Sequence, residues 1–332
     1  MSGIGYATPR HKVTNAMLSE FMDTSDQWIQ ERTGIKERRW ARCGFEALGE
    51  TSNLEMALVA ARAALQNAGT APQELDAIIY ATITPDRELP GNAARLGVEL
   101  GARADIPAYE VRNHCSGFLY GLQIGNALIS AARCERVLVV GMELQSTGLN
   151  LCTAGRNTAV LFGDGGGAVV LQARSTPGIL RIKLASDGRY AEKLGLEAPG
   201  FKRGYYLKTE DFCGEQPGVS PRMEGKLIFK MASLRMPQVV RTVLGECGFS
   251  IEDLSIIIPH QANQRILDML SHELEGRVEI FSNIASYGNT TAGSIPLALA
   301  EAVAQGKVKP GQLVCLTSFG AGFSWGAALC RW

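Results

Sequence analysis

One order of elements occurs twice along this chain, and that narrows the folds open to it. NLEMALVAARAALQNA (53–68) has the apolar spacing of an amphipathic helix, with Gly69 placed as its stop. QELDAIIYATITP (73–85) then enters a strand over Ala77–Thr82, β-branched and apolar enough to be buried on both faces. LRMPQVVRTVLGECGFSIEDLSIIIPHQAN (234–263) reads the same way: a helix stopped at Gly248, an acidic turn, then the strand SIIIP. Gly69 and Gly248 lie 179 residues apart, and at that offset Leu75, Ile78 and Ile79 meet Leu254, Ile257 and Ile258. The long apolar helix of 115–132 and the strand RVLVVG (136–141) find their match in a helix over 290–306 and the strand QLVCLTS (312–318). Each half then closes on a glycine turn and a strand, FGDGGGAVVLQ (162–172) and FGAGFSWGAALCR (319–331). Helices alternating with short buried strands signal an α/β protein. A repeat this long signals a duplicated domain and not a solenoid. The expected halves are 1–172 and 173–332. Residues 187–230, rich in glycine, proline and charge, fit neither half and read as an irregular excursion, either a solvated loop or a lid.

Charge and cysteine usage exclude several classes. The 33 basic side chains balance 33 acidic ones, so no net field favours nucleic acid or a membrane surface. No apolar run of about 18 residues is present, and MSGIGYATPRHKVTN lacks the apolar stretch of a signal peptide. The 8 cysteines form no C-x-x-C pair and the 4 histidines are scattered, so metal-ligand spacing is absent and no metal is expected. Scattered thiols in a chain of 332 residues point to a reducing compartment, hence a cytoplasmic location.

Three residues stand out chemically. Cys115 lies between the extended stretch AYEV and a long apolar helix, where the macrodipole is expected to lower its pKa. A buried structural thiol is the ordinary fate of a free cysteine; the strand-to-helix turn sets Cys115 apart. His260 ends the strand IIIP, where α/β proteins place active sites, although a loop cap is its commoner role. Asn289 precedes a helix, a position asparagine often fills as an N-cap. Set side by side, the halves put Cys115 and Asn289 at the same place, the start of the second helix, and His260 opposite Ala81. Converging on one pocket, a Cys, a His and an Asn suit thiol acyl transfer. His114 reads as a strand-end neighbour whose side chain points away from that of Cys115. The run GDGGGA (163–168) leads into a strand instead of opening a helix, so a dinucleotide site is not expected. The second turn, Phe319-Gly320-Ala321-Gly322, could bring backbone N–H groups to a carbonyl, or be only a tight turn. Trp28 and Arg32, four apart, share a helix face that could grip a purine or simply be a solvated basic surface.

Taken together, TSDQWIQERTGI, CSG at 115–117, GRNTAVLFGDGGGAVVL, IIPHQANQRI, YGNTTAGSIPLAL and FGAGFSWGAAL resemble the β-ketoacyl-acyl carrier protein synthase III family of thiolase-like condensing enzymes. The resemblance spans essentially the whole chain. It implies a thiolase fold, two βαβ-type halves in a five-layered αβαβα architecture, and a homodimer. It implies decarboxylative condensation of an acyl group, taken from an acyl-coenzyme A and carried on Cys115, with a malonyl thioester on acyl carrier protein or coenzyme A. His260 and Asn289 would hold the malonyl thioester carbonyl. The N–H groups of Cys115 and Ala321 would form the oxyanion hole. Trp28, Arg32, Arg156, Phe319, Lys226 and Asn263 would bind substrate and coenzyme A, and Arg265 and Lys230 would dock the carrier protein. Coenzyme A thioesters enter as substrates, with no permanent cofactor. Leu89, in RELPGN, would reach into the tunnel of a second subunit.

Some residues depart from the family's pattern. Arg112-Asn113-His114 replaces a small, alanine-rich stretch, Ala321 a glycine, and Lys226 an asparagine. The helix after HQAN keeps Arg265 but adds Asp268, Glu273 and Glu275, which would repel an acidic carrier and leave a coenzyme A ester or a small molecule as the partner. CSGFLYGLQ is also similar to the relative that loads anthraniloyl groups for quinolone signals, so a secondary-metabolic condensation stays open. A degradative thiolase would carry a second cysteine in FGAGFSWG, which has none. A non-catalytic acyl-coenzyme A-binding protein would be expected to lose one of Cys115, His260 or Asn289, and a cysteine hydrolase would form no carbon–carbon bond.

Overall fold

The computed structural model describes residues 1–43, 46–47, 51–197 and 221–332. Two five-stranded sheets form its frame. The first contains β1 (Gly3–Ala7), β2 (Ala77–Ala81), β3 (Ala108–Val111), β4 (Arg136–Glu143) and β5 (Gly165–Gln172), in the order β1-β5-β4-β2-β3. The second contains β6 (Ile179–Ser186), β7 (Ile256–Pro259), β8 (Glu279–Ile280), β9 (Leu313–Gly320) and β10 (Ser324–Arg331), in the order β6-β10-β9-β7-β8. Counted within its own sheet, each order runs first, fifth, fourth, second, third. The second strand of each sheet pairs parallel to both neighbours, and the fifth pairs antiparallel to both of its own.

The longer helices are α1 (Asp26–Thr33), α2 (Asn53–Ala68), α3 (Asn92–Leu100), α4 (Gly117–Ser130), α5 (Gly225–Glu246), α6 (Gln264–Glu273) and α7 (Ser294–Ala304). Helices α4 and α7 lie between the sheets: Phe118, Leu122, Ile295 and Leu299 pack with Ile79 and Val139 of one sheet and Ile258 and Leu316 of the other. On the far face of the first sheet, Ala60, Ala64 and Leu96 of α2 and α3 meet Ile78, Tyr80 and Leu138. On the far face of the second, Val240, Leu244 and Leu270 of α5 and α6 meet Ile257 and Cys315. The result is five layers, αβαβα, the thiolase fold. Neighbouring strand residues such as Ile78 and Ile79 point into different layers, and both are buried, which is why these strands read as unbroken apolar runs.

Local chemistry sets the ends of the elements. Ser52 closes a capping box with Glu55 at the start of α2, and Gly69 ends that helix at φ 60, a left-handed value that glycine adopts without strain. Two boundaries differ from the sequence reading. The helices expected from 115 and from 290 start later, each behind a short 3₁₀ turn, His114–Ser116 and Thr291–Gly293. Both turns begin on a residue of positive φ, His114 at 50 and Thr291 at 43. Aligned on these turns, Cys115 corresponds to Ala292 and not to Asn289, which stands before its turn. Part of the expected irregular excursion is also regular: Leu194–Gly195 pairs with Arg222–Met223, and α5 has begun by Gly225, so Lys226 and Lys230 sit on a helix. The remainder of that excursion, 198–220, lies outside the described residues. Among the described residues, no helix is long and apolar enough to cross a membrane.

Candidate active site

A cavity of about 790 Å³ opens where the inner helices meet the ends of the sheets. Cys115, His260, Asn289, Phe319, Ala321, Arg32, Lys226, Asn263 and Arg265 all line it. Trp28, Arg156 and Lys230 do not.

Cys115 sits in the turn that leads into α4 and is 9% exposed. Its carbonyl accepts from the Ser318 hydroxyl at 3.0 Å, and the neighbouring Ser116 hydroxyl lies 3.2 Å from that of Ser318. These bonds tie the first half to β9. Gly320 lies against the cysteine: a Cβ there would fall 2.5 Å from Cys115 Cβ and 3.0 Å from Sγ, so only glycine fits. The backbone N–H groups of Cys115 itself and of Ala321, the two donors singled out from the sequence, favour the thiolate. The expected lowering of its pKa is not found. Burial, with the Glu143 carboxylate as a second cause, pushes the thiol up to about 12, and the two N–H groups only partly offset this. Desolvation of a thiolate here outweighs the helix dipole. His114 also lines this cavity. It stands at a 3₁₀ turn, where the alternation of an extended strand no longer applies.

His260 follows β7, its backbone N–H bonded to Thr317 O at 2.8 Å. The ring is 1% exposed, and burial lowers its pKa to about 3, so it is neutral. Nδ1 lies 2.6 Å from Ser294 Oγ, while Nε2 is buried with no hydrogen-bond partner. Asn289 is held through its backbone, donating to Leu161 O at 2.8 Å and accepting from Gly163 N at 3.1 Å. Its Oδ1 accepts from Thr291 N at 2.8 Å. Because Oδ1 is engaged, the amide NH₂ is the end left to meet a ligand. Phe319 is buried and packs at a tilt on Phe323, centroids 4.9 Å apart.

The cationic residues form two groups. Arg32 and Arg156 both lie over the Trp28 ring, at 4.3 and 5.1 Å from its centroid. Asn263 caps α6 through Arg265 N at 2.9 Å and donates to Arg32 O at 3.0 Å, joining α1 to α6. Lys226, Lys230 and Arg265 are exposed, and Asp268 and Glu273 share α6 with Arg265.

The sequence reading passed over several residues. Glu143 is fully buried, accepts from Thr84 Oγ1 at 2.7 Å and Thr82 Oγ1 at 3.1 Å, and has its pKa raised by burial to about 7. A carboxylate ending the apolar run RVLVVGME was the available signal. Ser294 and Ser318, hidden among motif glycines and strand residues, gave none.

One cavity of this thiolase fold thus gathers a cysteine ahead of one inner helix and a histidine and an asparagine from beside the second sheet, a residue set suited to an acyltransferase. Models of the C-terminal part of 3-oxoacyl-[acyl-carrier-protein] synthase III and of 3-oxoacyl-[acyl-carrier-protein] synthase III match residues 244–332 and 109–188. A β-ketoacyl-[acyl-carrier-protein] synthase III of Streptomyces coelicolor is 42% identical over 100% of this chain and 96% of its own length. The crystal structure of 3-oxoacyl-[acyl-carrier-protein] synthase III from Aquifex aeolicus superposes with a TM-score of 0.87 at 38% identity, covering 100% of this chain and 99% of that one. A priming β-ketosynthase from the R1128 polyketide pathway reaches the same TM-score of 0.87 at 30% identity, covering 99% of this chain and 94% of that one. The chain belongs to the β-ketoacyl-acyl carrier protein synthase III family.

Proposed function

We propose that this chain takes an acyl group from an acyl-coenzyme A onto Cys115 and condenses it with a malonyl thioester, giving a β-ketoacyl product and CO₂. Cys115 Sγ attacks the thioester carbonyl, and the thiol proton ends on the sulfur of the departing coenzyme A. The N–H groups of Cys115 and Ala321 receive the oxyanion. The malonyl thioester then enters, and His260 Nε2 and Asn289 Nδ2 donate to its carbonyl oxygen. Loss of CO₂ leaves an enolate on that oxygen. Its carbon attacks the acyl-enzyme carbonyl, and Cys115 leaves as a thiolate that takes up a proton. Preorganised donors contribute most where charge develops, and a buried neutral imidazole needs no reorganisation to serve.

The observation that carries this reading is that His260, whose Nε2 is buried and partnerless, lines the same cavity as Cys115 and Ala321. Trp28, Arg32 and Arg156 are read as the nucleotide grip; a purine stacking on Trp28 would displace one guanidinium and leave it free for phosphate. Phe319, Lys226 and Asn263 are read as substrate contacts, and Arg265 with Lys230 as the docking face for the malonyl carrier, acyl carrier protein or coenzyme A. We read the halves as 1–172 and 173–332, and the working form as a cytoplasmic homodimer without a permanent cofactor. Intact-mass spectrometry after exposure to a panel of acyl-coenzyme A thioesters tests the assignment. One acyl mass gained by the wild type and none by Cys115→Ala, with CO₂ released from the malonyl thioester, is expected. Equal labelling of both chains would overturn it.

A further inference from the structure

We infer that Ser294 is the positioning residue that fixes the tautomer of His260, holding the proton on Nε2. The inference rests on the reading of His260 as a donor to the malonyl carbonyl and adds the group that makes it one. A neutral imidazole carries one N–H, and only the form protonated at Nε2 can donate into the cavity.

The hydrogen-bond inventory around Ser294 decides which form is present. Its hydroxyl has one proton to give and two lone pairs to offer. The Gln261 backbone N–H, which can only donate, points at Ser294 Oγ at 3.4 Å. The other contact of that oxygen is His260 Nδ1 at 2.6 Å. Among the described residues no third group bonds the hydroxyl. If Nδ1 carried the proton, Oγ would accept twice and its own proton would be left without an acceptor in a residue 2% exposed. If Nδ1 is the acceptor, Gln261 N–H, Ser294 O–H and His260 Nδ1 form a directed chain and every member is satisfied. The imidazole proton then lies on Nε2, the atom that is buried and partnerless. Ser294 is also placed rigidly: it opens α7 directly after the Thr291–Gly293 turn, between the two sheets. The turn that presents Cys115 in the first half thus has its counterpart presenting the orienting serine in the second.

Two measurements test this. Long-range ¹H–¹⁵N NMR of ¹⁵N-histidine-labelled wild type, assigned with His260→Ala, is expected to show Nε2 protonated and Nδ1 bare at neutral pH. The reverse tautomer overturns the inference. In kinetics, Ser294→Ala is expected to keep Cys115 acylation by intact mass and the KM for the malonyl thioester, while kcat falls about 10- to 100-fold, less than for loss of an oxyanion donor itself. Ser294→Thr, which restores the hydroxyl, is expected to regain most of that loss. If His260→Ala abolishes condensation while Ser294→Ala keeps wild-type kcat, the role of Ser294 fails alone. If His260→Ala itself condenses normally, the proposed role of His260 fails with it.

Discussion

At the residue scale, the site works through desolvation. Cys115 is held as a thiol, its pKa pushed to about 12. Its reaction with iodoacetamide is therefore expected to rise about tenfold per pH unit from about pH 7 to about pH 10 without a plateau, because the thiolate fraction keeps growing. Labelling followed by peptide mass mapping reads this, and a plateau near neutrality would contradict it. His260 has its folded pKa lowered from 6.5 to about 3, so protonation favours the unfolded chain. The stability it contributes is complete above pH 6.5 and is lost as pH falls toward about 3. Glu143 acts in the opposite sense: its pKa is raised from 4.5 to about 7, so its contribution is complete below pH 4.5 and fades up to about 7. The overlap hides each in a simple pH titration. The difference in unfolding free energy between the wild type and His260→Gln separates them. It is expected to grow with pH across the histidine window, by up to about 1.4 kcal/mol per unit.

At the element scale, close approach at the glycine turn sets what the site tolerates. Gly320→Ala would drive a Cβ to 2.5 Å from Cys115 Cβ. Acyl-enzyme formation is expected to fall sharply, with about 1–3 kcal/mol lost from stability, read by intact mass and urea denaturation. Ser52→Ala removes the cap of α2 at a residue that does not itself line the cavity. It is expected to lose about 1 kcal/mol of stability with kcat unchanged. The α2 boundaries could be read in the sequence because capping box and Gly69 are local signals. The start of α4 could not, because the His114–Ser116 turn depends on Ser318 and Gly320 of the other half bracing Cys115.

At the scale of the whole molecule, the middle layer bears on both sheets at once. Leu299 is fully buried there, among residues of both. Leu299→Ala is expected to lower unfolding stability by about 2–5 kcal/mol and to destabilise the two sheets together, seen as one shifted urea transition by circular dichroism and tryptophan fluorescence. The doubled architecture was legible in the chain because its causes are periodic and local: apolar runs buried on both faces, glycine stops, and an element order that recurs. Cys115, His260 and Asn289 were legible as candidates because each stands at the tip of such an element. The pairing of Cys115 with Asn289 across the halves was misread, since a shift of a few residues before a helix leaves no trace in hydrophobic spacing. The thiol's raised pKa, the place of His114 in the cavity and the bond from Ser294 to His260 arise from contacts between residues far apart in sequence. They follow from how deeply the packed layers bury each group and which donor is left facing it, and neither is written in any single segment.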